Sequence, residues 1–161
     1  MFQQGVGING VMFYSTKLFD SDPKMSINDS YVLNGVIGFA NCFSTLITLN
    51  LIDSVGRKKI GVVGSAIMCP LLIAIFLFDL FKYLWVVTVM VILYIINFAY
   101  SLGPLLWIYL PEILPEKGLA MATCLQWIFT VGLNIGNGYL LMYKMKYAFI
   151  VFACFALGVY D

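Results

Sequence analysis

A chain of 161 residues that is 62% hydrophobic and only 11% charged cannot dress a water-facing surface, for which about 25% charged residues is usual. A net charge of +1, with Arg57, Lys58 and Lys59 as the one basic cluster, offers nothing to nucleic acid. With no histidine, and no acid pair closer than Glu112 and Glu116 outside the 20–29 loop and the terminus, there is no acid–base or metal constellation, so neither an enzyme nor a cofactor is expected.

Charge sets the segment boundaries. Asp, Glu, Lys and Arg are missing from 1–16, 30–52, 60–78, 83–111, 118–143 and 147–160. The four middle runs reach the roughly 20 apolar residues that cross a bilayer, and lipid cannot satisfy an open backbone, so such spans are helices. Six helices are expected over about 2–19, 30–52, 60–80, 84–110, 117–142 and 146–160. Cys42, Cys69, Cys124 and Cys154 lie within apolar runs without a CxxC pair and read as buried small hydrophobes.

The first segment, MFQQGVGINGVMFYS, places Gln3, Gly7, Gly10 and Tyr14 on one helical face, and Gly5, Gly7 and Gly10 make it easy to unwind. About 15 helical residues rise only about 23 Å, short of a hydrocarbon core of about 30 Å. Either Lys17 snorkels or residues precede Met1; the second is favoured. No basic stretch precedes the first apolar run, so a cleaved signal peptide is not expected. The link DSDPKMSIND reads as a solvated loop with helix caps near Asn28 to Ser30.

In the second segment Asn34, Gly38, Asn41, Thr45 and Thr48 recur at steps of four and three, one stripe on a helix. Loop 53–59 follows, and its basic cluster suggests the cytoplasmic side, with both chain ends there too. The full count is nearly even: Arg57, Lys58, Lys59 and Lys117 inside against Lys17, Lys24, Lys82, Lys144 and Lys146 outside.

The third segment has Ser65 alone as a polar side chain within 60–78. The fourth carries Asn97, Tyr100, Ser101, Pro104 and Trp107, with Gly103-Pro104 freeing a carbonyl at mid-helix. The fifth carries Thr123, Gln126, Trp127, Thr130, Asn134 and Asn137, and the sixth has no stripe. The order striped, striped, plain occurs twice, a three-plus-three repeat. A single stripe is equally well read as helix packing; four stripes rich in amides point to a shared polar cavity. Amides hydrogen-bond hydroxyls without the cost of a buried charge, so an uncharged polyhydroxylated ligand fits.

Three motifs carry a resemblance. QQGVGIN resembles the seventh-helix signature of the sugar porters of the major facilitator superfamily, DSVGRKK resembles their loop between helices 8 and 9, and GPLLWIYLPEILP resembles their tenth helix with the Pro-Glu segment at its end. The wording WIYLPEILP is closest to protist hexose transporters. The resemblance implies an all-α membrane protein with residues 1–161 forming the C-terminal six-helix bundle of a major facilitator fold. The implied function is transport of a hexose or related polyol by alternating access. No acid or histidine lies near the centre of an expected span, so facilitative transport is expected. The implied location is the plasma membrane, with an internal membrane as the alternative. The implied partners are the sugar, the lipid bilayer, and a missing N-terminal six-helix half or partner membrane subunit.

Residue by residue, the resemblance implies that Gln3, Gln4, Asn9 and Asn41 hydrogen-bond sugar hydroxyls. It also implies that Trp107, Gln126 and Trp127 line the site, with Gln126 where many members have asparagine. Ala99 stands where glucose facilitators often carry an acid. A cytoplasmic latch is implied among Asp53, Arg57 and Glu112, with Lys117 as a substitute for a missing arginine. The alternative reading is a transporter-derived accessory subunit with a structural role in a larger assembly.

Overall fold

The computed structural model describes residues 2–21, 27–143, 149, 151–154 and 156. Apolar runs become helices, and two of the spans break. The first is split into α1 (Phe2–Gly5) and α2 (Ile8–Ser21), followed by α3 (Ile27–Val55) and α4 (Arg57–Leu80). The fourth span is split into α5 (Leu84–Tyr100) and α6 (Leu102–Ile113), and α7 runs over Glu116–Tyr143. Residues 149, 151–154 and 156, inside the expected sixth span, are helical; the rest of that span lies outside the described residues, as do 22–26 of the expected loop. Among the described residues, Tyr31–Thr48, Arg57–Leu80, Leu84–Ile113 and Glu116–Tyr139 are long and apolar enough to cross a membrane.

Two boundaries differ from expectation. The helix α3 begins at Ile27, ahead of the expected caps, and continues through Val55. Loop 53–59 therefore shrinks to Gly56, whose φ of 89° is open to glycine and strained for other residues. In a hydrocarbon setting helical backbone satisfies itself, so helices extend as far as one left-handed residue allows.

Each break has a local cause and a partner. At the first, Gly7 has φ 84°, and a Cβ there would fall 2.3 Å from the ring of Phe152. The Val6 carbonyl in this break accepts the hydroxyl of fully buried Tyr94 at 2.7 Å. At the second, Pro104 has no N–H to offer the carbonyl four residues back, that of Tyr100. Thr48 of α3 donates to this carbonyl at 2.8 Å. The break itself falls at Ser101, upstream of Gly103-Pro104, because the lost donor frees a carbonyl on the preceding turn. A hydroxyl from a neighbouring helix thus covers a carbonyl at each break.

Around the second break α4 comes very close. The amide of Asn97 donates to the Gly64 carbonyl at 2.8 Å, and a Cβ on Gly64 would lie 2.1 Å from the Cβ of Ser101. The core, with Met68, Leu72, Val91, Tyr94 and Phe149 sealed from solvent, joins α4 and α5 to α2. By contrast α3 and α7 turn large apolar side chains outward, among them Phe39, Phe43, Ile128 and Val131. Cys69 is buried as expected, but Cys42, Cys124 and Cys154 are exposed, because an apolar run in a membrane protein includes the faces that lipid or another body covers.

The helix α4 is tied at both ends. Arg57 in its first turn pairs with Glu112 near the end of α6. In its last turn Asp79 accepts the hydroxyl of Tyr14, on α2, at 2.6 Å. Tyr14 also stands edge-on to Phe149, with ring centroids 5.0 Å apart.

Candidate functional site

A cavity of about 390 Å³ opens between α1, α2, α3, α5, α6 and α7. Six of the seven residues the sequence nominates for a substrate line it: Gln3, Gln4, Asn9, Asn41, Trp107 and Trp127. Glycine-driven unwinding brings the first three together. The break at Gly7 sets α1 and α2 as separate pieces, and Asn9 then donates through Nδ2 to Oε1 of Gln4 at 2.9 Å. This leaves Nε2 of Gln4 as a donor and Oδ1 of Asn9 as an acceptor, neither engaged elsewhere among the described residues.

Asn41 lies one helical turn before Thr45, and both line the same cavity from α3. Thr45 donates to the Asn41 backbone carbonyl at 2.9 Å, whereas the Asn41 amide has no partner among the described residues. Trp107 and Trp127, 46% and 57% exposed, offer broad apolar faces at the open side. Ile95, Phe98 and Ala99 close the wall from α5, apolar residues that no polar stripe could announce. Ala99 is fully buried, so the position that often carries an acid in glucose facilitators here contributes neither charge nor acceptor.

Gln3 differs from its neighbours. Its Nε2 donates to the carbonyls of Leu102 at 3.0 Å and Gly103 at 2.9 Å, in the first turn of α6. Its Oε1 accepts from Nε2 of Gln126 at 3.1 Å. Both amide hydrogens and an oxygen lone pair are thereby engaged in holding the two breaks and α7 together. Gln126, 6% exposed, stands behind this clasp rather than on the cavity wall. It faces a second space of about 210 Å³ with Leu106, Trp107, Leu110 and Thr123.

Of the latch residues, Arg57 and Glu112 form an ion pair at the ends of α4 and α6, both partly exposed. The side chain of Asp53 lies outside the described residues, although its backbone is part of α3. Lys117, exposed at the start of α7, makes no ion pair among the described residues. Sequence reasoning missed the Tyr14–Asp79 bond, for which the signals were Tyr14 on the first stripe and Asp79 as the acid that ends the third charge-free run. The described cavity wall carries amides, aromatics and aliphatics, with no carboxylate on it.

The arrangement offers hydrogen-bonding amides opposite stacking surfaces in a chamber at the level of two interrupted helices. A superposition on a solved proton:xylose symporter of the major facilitator superfamily, bound to 6-bromo-6-deoxy-D-glucose, gives a TM-score of 0.85 at 24% identity. It covers 98% of this chain and 36% of that one, so the fold is that of part of a major facilitator protein. In sequence the chain is 33% identical over 144 residues to a facilitated trehalose transporter of Apis mellifera ligustica, covering 80% of this chain and 28% of the relative. It is 32% identical over 163 residues to hexose transporter 1 of Toxoplasma gondii, with 94% and 28% covered. The chain thus spans about a third or less of the length of these relatives, which are transporters and not enzymes. The family profile described as sugar (and other) transporter matches residues 1–160, and the chain, an integral multi-pass membrane protein, belongs to that family.

Proposed function

We propose that this chain forms one six-helix half of a carrier that moves a hexose or related polyol across the plasma membrane, passively and by alternating access. The observation that carries the reading is the convergence of Gln4, Asn9, Asn41, Trp107 and Trp127 on one cavity, with unengaged amide groups facing in. A sugar entering it exchanges hydrogen bonds to water for bonds to these amides, and its apolar ring face rests on indole. No covalent bond is made or broken. Interrupted helices in both repeats, at α1–α2 and α5–α6, suit the midplane site of a rocking carrier.

The opposing half comes from a second six-helix body, which the outward apolar faces of α3 and α7 are suited to meet. Passive transport rests on the cavity wall, where no group titrates between its amides and aromatics.

The test is binding by the complete protein, read by quenching of Trp107 and Trp127 as a hexose is added. Gln4→Ala and Asn41→Ala should each weaken binding by about 1–3 kcal/mol, the cost of stranding a hydrogen-bond partner. Wild-type affinity in both would remove the cavity from the transport path.

A further inference from the structure

Three basic residues stand in a row at the start of α4, but they do not share one fate. Arg57 is spent on Glu112. Lys58 and Lys59 are exposed and make no ion pair among the described residues. Both instead line a groove of about 600 Å³ whose remaining wall is Val55, Ile60, Val62, Val63 and Tyr100. The groove is separate from the substrate cavity, sharing no lining residue with it.

Its composition is graded along α4. The two ammonium groups lie in the first turn, at the end of a membrane-crossing helix, and the aliphatic wall begins immediately after them with Ile60, Val62 and Val63. Gly56 precedes the helix without a side chain to cap it, so the first N–H groups of α4 add partial positive charge at the same end. A free inorganic anion would use the charged end only. A neutral lipid would use the aliphatic wall only. An anionic glycerophospholipid matches both, its phosphate at Lys58 and Lys59 and an acyl chain along Val62 and Val63.

We propose that this groove is a binding site for an anionic phospholipid of the leaflet at the α4 N-terminus. The occupant sits beside the Arg57–Glu112 pair, so lipid charge and that pair meet on adjacent residues.

The test is native mass spectrometry of the complete protein in detergent, with equal amounts of phosphatidylglycerol and phosphatidylcholine added. The wild type should retain phosphatidylglycerol over phosphatidylcholine by roughly tenfold, as two lysines near a lipid surface allow. Lys58→Gln with Lys59→Gln should bring that ratio close to one. Val63→Trp, which keeps both charges and fills the groove at a lipid-exposed position, should also lower phosphatidylglycerol retention. An unchanged ratio in the double variant, or full retention in Val63→Trp, would overturn the site. Displacement of the lipid by excess inorganic phosphate would reduce it to a simple anion site and overturn the proposal equally. A wild type without any preference would mean that another segment covers the groove, which also ends it.

Discussion

Gln126 donates through Nε2 to Oε1 of Gln3 at 3.1 Å, joining α7 to α1 across 123 positions of sequence. Because Gln3 in turn holds the Leu102 and Gly103 carbonyls, one side chain connects both interrupted spans with α7. The adjacent glutamines therefore divide the labour: Gln3 clasps the framework, and Gln4 presents its amide to the cavity.

This division predicts opposite profiles for two neighbouring substitutions. Gln3→Ala strands buried partners in α6 and α7 and should lower stability by about 1–3 kcal/mol. Gln4→Ala should leave stability within about 0.5 kcal/mol while it weakens sugar binding. Thermal unfolding of both variants in detergent separates the two, and equal melting temperatures would refute the clasp.

The carbonyl freed at the second break is covered by Thr48. Thr48→Val keeps the shape and removes the donor to the Tyr100 carbonyl, at a cost of about 1 kcal/mol, whereas Thr48→Ser should stay near wild type. Thermal shift measurements decide it; a loss for the serine variant equal to that for valine would point to packing instead.

Gly64 is set by proximity rather than by backbone conformation. Gly64→Ala would place a methyl 2.1 Å from the Ser101 Cβ, so α4 and the second break must separate. A loss of about 1–3 kcal/mol is expected, as for overpacked cores. Ser101→Gly added to it should recover part of the loss, and a strictly additive double variant would show that the contact is not the cause.

Arg57 and Glu112 tie the first turn of α4 to the end of α6, and in a carrier with states a few kcal/mol apart a bias of even 1 kcal/mol moves populations several-fold. Arg57→Ala and Glu112→Ala should each change how fast a thiol reagent reaches a cysteine placed at Thr45 on the cavity wall. The exposed Cys42, Cys124 and Cys154 are first replaced by serine. Labelling rates unchanged in both variants would leave the pair no part in switching.

Much of this architecture was legible because bilayer physics is written in charge. The runs without Asp, Glu, Lys or Arg mark the spans, and Gly7 and Pro104 mark the two that break. The stripes reach the cavity only in part: Asn41 and Thr45 line it from α3, whereas Thr48, Asn97 and Gln126 turn to neighbouring helices. A stripe gives an angle about its own helix axis and nothing about which neighbour meets it. For that reason Gln3 and Gln4 read alike in sequence, and only their surroundings show one turned to the α6 carbonyls and the other to open space. The apolar part of the wall, Ile95 and Phe98, had no signal among so many hydrophobic residues. The pairing of Tyr14 with Asp79 needed knowledge that α2 runs beside the far end of α4.

That pairing gives α4 a further role. Its 24 residues form one continuous helix, about 36 Å from end to end, fastened to α2 at Asp79 and to α6 at Arg57. Each fastening holds one half of an interrupted span, at opposite ends of α4. Fastened to separate pieces at its two ends, α4 cannot slide along its axis without breaking the Tyr14–Asp79 bond or the Arg57–Glu112 pair.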